Sequence, residues 1–346
     1  MRLRGRSFRG GADVPRGGLV TFVGATVPPP LHPGLRYHNY ASFLRRRLGG
    51  AAARVCVDGG FACPNRDGTV GTGGCSFCDN DSFTPGIRFP GLPVEEQVRR
   101  SIGASDAGGR RRYLVYFQKF TGTHAPPEVL RERYRAALRH PAVSGIVVGT
   151  RPDCLGPAAL DVLAEIARER YVCVELGLQS MSDDVLRGAR RGHDVASFGE
   201  GARALARRGI DVGAHLIYGL PGDTPESFLA AAPFLSGLGV RGVKLHHFHV
   251  VKGAPLETAW RRGGVAVPGY DEYVSACADF LERLSPHVAV MRMAGEAPAS
   301  RLLAPRWEKG PREAARDVSA LLAARGTFQG VRWTGTREGR ETRDGR

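Results

Sequence analysis

Cys63, Cys75 and Cys78 stand in one glycine-rich run, Gly-Gly-Phe-Ala-Cys-Pro-Asn-Arg-Asp-Gly-Thr-Val-Gly-Thr-Gly-Gly-Cys-Ser-Phe-Cys, which occupies residues 59–78. Thiolates are soft ligands suited to iron–sulfur clusters and to zinc, and a Cys-x2-Cys pair grips one centre from a single turn. A four-iron cluster takes one ligand per iron. Three sulfurs therefore leave one iron free for chemistry, which marks a reactive cluster rather than an electron store. A structural zinc site is the competing reading; it usually shows a second pair of ligands, and none follows here. Cys154, Cys173 and Cys277 stand singly in or beside apolar stretches, where a thiol serves as a small buried hydrophobe. Cys56, in the expected strand 54–58, has two readings, a fourth ligand or a core residue.

At 346 residues and 42% hydrophobic, the chain suffices for one large α/β domain or two smaller ones. Seven cysteines without a secretory signal point to a reducing, cytoplasmic compartment, where thiols serve metal or redox chemistry. No apolar run is long enough for a membrane span. The net charge is +15, of which residues 1–36 carry +5 and residues 331–346 carry +2, leaving +8 on the body. A basic body fits an RNA or phosphate partner; it also fits a solvated, arginine-rich surface.

Residues 1–36, rich in Gly, Pro and Arg, read as a disordered basic extension, and 331–346 as a disordered tail. Order is expected from an amphipathic helix near Tyr37. Strands are expected at 54–58, 113–118, 145–149, 171–177, 212–218 and 242–248, with helical patterns between them. Leu160, Leu163, Ile166 and Ala167 recur at helical spacing, and Thr224-Pro225 opens another helix, which Pro233 should kink or stop. Repeated βα units imply a parallel sheet, here a partial (β/α)6 barrel. The core is expected over 37–290, with a short C-terminal extension over 291–330 packed on it. Chemistry in such folds gathers at the C-terminal ends of the strands. The cysteine loop lands on that rim, with Gln118–Thr121, Thr150–Asp153, Gly177–Gln179 and Gly219–Gly222.

These residues resemble the radical S-adenosylmethionine (SAM) superfamily, in particular the YhcC-type family related to the radical SAM domain of the Elongator catalytic subunit. The resemblance rests on 60–69, 73–78, 116–121, 149–155, 175–180, 191–194, 219–224, 295–298 and 304–307, and covers about residues 37–330. The superfamily's usual Cys-x3-Cys-x2-Cys becomes Cys63-x11-Cys75-x2-Cys78 here, as in the YhcC-type family. The resemblance implies a [4Fe–4S] cluster on Cys63, Cys75 and Cys78, with SAM chelating the fourth iron. One electron would then yield methionine and a 5′-deoxyadenosyl radical. It further implies Phe77 beside the adenine, Gln118 and Thr121 near the methionine amino group, and Gln179 and Arg191 on ribose and carboxylate. Gly219 and Gly222 would give close backbone approach to the adenosine. Arg151 is a further cofactor candidate, or else pairs with Asp153; Glu175 is open between site and core ion pair.

Lys244, His246, His249 and Lys252 are the candidates to face a substrate. The kinship makes tRNA a candidate substrate, and a flavodoxin or ferredoxin the kind of electron donor expected. Two other readings stay open: a nucleic-acid-binding protein with a structural metal, and a cluster used only for electron transfer.

Overall fold

The computed structural model describes residues 34–105 and 112–335. The tails expected to be disordered thus lie mostly outside the described residues. The described ends are tied down: the Arg36 N–H donates to Ser319 Oγ, Gln329 N–H donates to the Arg36 carbonyl, and Arg332 pairs with Glu282. Order therefore reaches slightly beyond the boundaries that composition suggested.

Seven strands form one parallel sheet: β1 (Ala52–Val57), β2 (Arg112–Phe117), β3 (Val143–Thr150), β4 (Tyr171–Gln179), β5 (Asp211–Tyr218), β6 (Gly242–His247) and β8 (Ala289–Arg292). They pair in that spatial order and curl into a half-barrel. The six expected strands are all present. The seventh, β8, is an addition that its four residues, following Ser285-Pro286, did not signal. Residue 290, the expected end of the core, lies inside it. A short strand β7 (Val250–Val251) pairs antiparallel with β9 (Leu302–Ala304), tying the chain beyond β8 back to the end of β6.

Helices α2 (Val94–Gly103), α3 (Pro127–Leu138), α4 (Pro157–Ala167), α6 (Val195–Ala206), α7 (Pro225–Gly237) and α9 (Tyr270–Arg283) coat the outer face. Both faces of the central strands are covered; β4 is buried from Val172 to Gln179, as parallel strands usually are. Helix α1 (Tyr40–Leu48), capped by Asn39 Oδ1, closes the barrel from within. Its Tyr40 and Leu44 pack on Leu114, Tyr116, Val147, Cys173 and Ala289, a second core inside the curl. Two short helices, α5 (Asp183–Gly188) and α8 (Leu256–Arg261), flank the rim, and α10 (Pro311–Ala324) buries Ala314, Val318 and Leu322 in the main core.

Pro233 does not stop its helix. Helix α7 runs through it to Gly237, because Phe228, Ala231, Ala232 and Leu235 are held in the core while Pro233 itself is exposed. Packing of the buried face outweighs one lost backbone bond. Replacing Pro233 with alanine restores that donor without disturbing a buried contact. Denaturant unfolding should show a gain of about 1–3 kcal/mol; a loss would mean that the ring itself is packed.

Candidate active site

Between β1 and α2 the chain makes its longest excursion, and here it carries the cysteines. The eleven-residue gap after Cys63 is folded on itself: Arg66 N–H donates to the Cys63 carbonyl (2.8 Å), Val70 N–H to Pro64 (2.8 Å), and Gly74 N–H to Asn65 (2.8 Å). The last bond returns Cys75 to the neighbourhood of Cys63. Gly73 and Gly74 adopt φ of 78° and 79°, a left-handed turn that a side chain would strain. Ser76 N–H then bonds the Ala189 carbonyl, and Leu256 N–H bonds Ser76, so the loop is fixed from two sides.

Nine of the eleven predicted site residues line one cavity of about 390 Å3 at the C-terminal rim: Cys63, Cys75, Phe77, Cys78, Gln118, Thr121, Arg151, Gln179 and Arg191. That size lies in the range of small-molecule sites. Gly219 and Gly222 are not on its wall. Both have positive φ, and a Cβ at Gly219 would press on Pro268, so they shape the turn after β5. Their neighbour Leu220 packs with Phe77 instead. Lys244, His246 and His249 reach the cavity, whereas Lys252 does not.

Cys75 is buried and ringed by donors: Asn65 Nδ2 lies 3.4 Å and Arg191 Nη1 3.5 Å from its sulfur. Burial alone would raise this thiol; the Arg191 guanidinium outweighs burial and holds it below its ordinary range. Cys78 is pushed up to about 11 by burial and by Cys75 beside it. Asn65, absent from the sequence reading, also donates to the Arg190 carbonyl (2.6 Å). Among the described residues no three His, Cys, Asp or Glu side chains gather closely enough for a single ion.

Arg191 also reaches the Gly177 carbonyl (3.4 Å), and a Cβ at Gly177 would overlap both Arg191 and Gln179. Gly177 thus makes room for two polar side chains. A register shift between Gly177 and Gln179 re-aims Gln179, whose φ is 74°. Phe120 and Arg190 also have positive φ, so all three such non-glycine residues among those described sit on this rim. Strain of this kind, about 1–3 kcal/mol each, persists where the surroundings hold it. Arg151 makes the two-pronged pair with Asp153 (2.9 and 2.7 Å). Gln118 donates to the Phe83 carbonyl (2.6 Å) and accepts from the Cys56 thiol (3.6 Å). Cys56 therefore lies on the cavity wall while also packing against the inner core.

Below the rim, one residue from each of several strands points inward. Glu175 is fully buried and meets Lys244 Nζ, Arg54 (3.1 Å) and His215 Nε2 (2.9 Å). Lys244 also donates to Tyr116 Oη (3.1 Å), and Arg54 lies between the Tyr40 and Tyr116 rings. Glu175 is thus an ion-pair member within the site wall, which resolves its two readings together. Its carboxyl is held well below the usual range: burial opposes this, and Lys244 and Arg54 outweigh it.

Burial lowers His215 and His249 to about 4, with the Lys244 charge adding to the effect at His215. The unfolded chain therefore takes up protons between pH 6.5 and 4 that the folded chain refuses. Stability is full above pH 6.5 and falls as pH drops toward 4, by ~1–3 kcal/mol for each such histidine. Denaturation midpoints measured from pH 7 to pH 4 should show this slope, and a flat profile would contradict the burial.

Residues 65–235 match the family model described as the radical SAM superfamily, and residues 240–322 match the radical SAM C-terminal domain. Protein YhcC of Escherichia coli is 38% identical over 271 residues, which span 76% of this chain and 85% of that protein. The chain belongs to the radical SAM superfamily. It is a radical SAM enzyme, of a family that uses a [4Fe–4S] cluster and SAM. The tRNA uridine(34) acetyltransferase of Dehalococcoides mccartyi is 31% identical over 158 residues, covering 45% of this chain and 34% of that protein. The solved structure of archaeal Methanocaldococcus infernus Elp3 superposes with a TM-score of 0.63 at 17% identity, covering 80% of this chain and 64% of that one. That likeness concerns the fold, a radical SAM half-barrel.

No helix among the described residues is long and apolar enough to cross a membrane.

Proposed function

We propose that Cys63, Cys75 and Cys78 hold the cluster, and that SAM lies against Phe77, Gln118, Thr121, Gln179 and Arg191. The observation that carries this is a single cavity shared by those thiols, those polar side chains and the inward network of Glu175 and Lys244. The donor set fits. Three thiols are available, and Arg191 Nε, Arg151 Nη1 and Asn80 Nδ2 are buried on that wall with no hydrogen-bond partner among the described residues. Loaded and reduced by one electron, the pair supplies a carbon radical able to take hydrogen from an unactivated C–H bond.

The protein's own part is placement and exclusion. Arg191 neutralises charge at Cys75 and Asn65 donates a hydrogen bond to it, Phe77 gives an apolar wall, and the cationic rim attracts a carboxylate. Arg191→Met should leave the iron content intact and shift the cluster's reduction potential downward, because hydrogen bonds to cluster sulfurs raise it. An unchanged potential would remove Arg191 from that role. Free thiols at all seven cysteines agree with a reducing, cytoplasmic setting, and the same reading takes a flavodoxin- or ferredoxin-class protein as electron donor.

RNA is the substrate class we favour, on the +8 charge of the body and the partial likeness to a tRNA-modifying relative. Mass spectrometry of tRNA nucleosides from cells with and without the gene tests this. A missing modification supports it, and an unchanged profile removes RNA from the reading.

A further inference from the structure

The cavity has a second half that neither the cluster nor the SAM contacts use. Its wall is made by Arg54 on β1, Tyr116 on β2, Glu175 on β4, His215 on β5, Lys244 and His246 on β6, and Arg292 on β8. Three cations share this wall with one buried carboxylate. Arg54 and Lys244 divide Glu175 between them, and the Arg292 guanidinium makes no hydrogen bond or ion pair among the described residues. Glu296, the other acid on the cavity wall, is exposed.

His246 and His249 add two buried, unpartnered nitrogens. Nε2 of each is shut from solvent and has no hydrogen-bond partner among the described residues. The two rings meet over Gly295, where a Cβ would lie 3.0 Å from His246 Nδ1 and 3.1 Å from His249 Cε1. Burial keeps both imidazoles neutral near pH 7, so each carries a single N–H. A buried polar atom left unpaired costs ~1–3 kcal/mol, and a ligand that pairs it recovers that cost. Lys244 has three N–H bonds, of which two go to Glu175 and Tyr116.

Surplus positive charge, a guanidinium without a partner and the unpaired His246 nitrogen on one wall ask for anionic oxygens. We propose that this half of the cavity binds an anionic group of the substrate, a carboxylate or a phosphate, on Arg292 and His246, beside His249. The planar fork of Arg292 suits either group, and His246 would donate one hydrogen bond, while His249, whose ring already bonds the His247 backbone, borders the site. Such an anchor would hold the rest of the substrate toward the cluster side of the same cavity. The proposal rests on the cofactor reading above, which places SAM at the other end.

Calorimetric titration of cluster-loaded protein with SAM present tests it, with three probes: succinate, inorganic phosphate and the neutral isostere succinamide. The expected result is saturable binding of succinate or phosphate and at least tenfold weaker binding by Arg292→Gln. A matched control, Arg170→Gln at the opposite end of β4, should bind as the wild type does. Binding of succinate alone would assign the anion to an organic acid; binding of phosphate alone would assign it to a phosphorylated compound or nucleotide. The proposal is overturned if neither anion binds, if succinamide binds as well as succinate, or if Arg292→Gln leaves affinity unchanged. Iron content and the spectral response to SAM, recorded on the same samples, keep its failure separate from failure of the cofactor reading. The Arg292 side chain is exposed and makes no hydrogen bond or ion pair among the described residues, so its replacement should leave the fold intact.

Discussion

Replacing Glu175 with alanine is expected to lower unfolding free energy by about 3–5 kcal/mol, the cost of stranding buried charges. Among the described residues Glu175 is the only carboxylate against Lys244 and Arg54, and its side chain is fully closed to solvent. Without it, Lys244 can shed its proton. Burial already lowers that group to about 8, despite the neighbouring carboxylate. Arg54 has no such escape, since a guanidinium stays charged in proteins. A double variant, Glu175→Leu with Lys244→Met, should recover part of the loss, because the pair is removed together. Denaturant unfolding of the three proteins checks this. A loss under about 1 kcal/mol in Glu175→Ala would show that water reaches the pair and that the barrel interior is wetter than described.

The second large effect is on chemistry. Cys75→Ala should lose the cluster and with it the cleavage of SAM. The fall in 5′-deoxyadenosine production should exceed the ~100-fold that a change outside the ligand shell can cost. Cys154→Ala, at a thiol outside the cavity wall, should keep both iron and turnover. Iron analysis and product chromatography after anaerobic reconstitution distinguish these outcomes. Retention of iron and turnover in Cys75→Ala would displace it as a ligand.

The rim of this barrel was legible in the sequence, and its interior was not. Rim residues come as short polar or glycine-rich clusters where an apolar run ends, so Gln118, Arg151, Gln179 and Arg191 stood out. The interior contributes one residue per strand. Arg54, Tyr116, Glu175, His215, Lys244 and Arg292 are far apart in the chain and meet only when the sheet curls. Strands buried on both faces show no alternation to say which side is inward. Gly219 and Gly222 lie off the cavity wall in the turn after β5, because a positive φ marks a turn as readily as a close approach. Asn65 was hidden inside the cysteine motif; its role appears only once Gly74 folds back on it. Pro233 and β8 show packing overriding local signals, the first tolerated within a helix and the second recruited by the edge of β6.

The most direct test of the central claim is electron paramagnetic resonance of anaerobically purified, reduced protein before and after SAM is added. A cluster held by Cys63, Cys75 and Cys78 with one open iron predicts a reduced four-iron signal whose shape and g-values change on SAM binding. Zinc in place of iron, or an iron signal that SAM leaves untouched, would contradict the account.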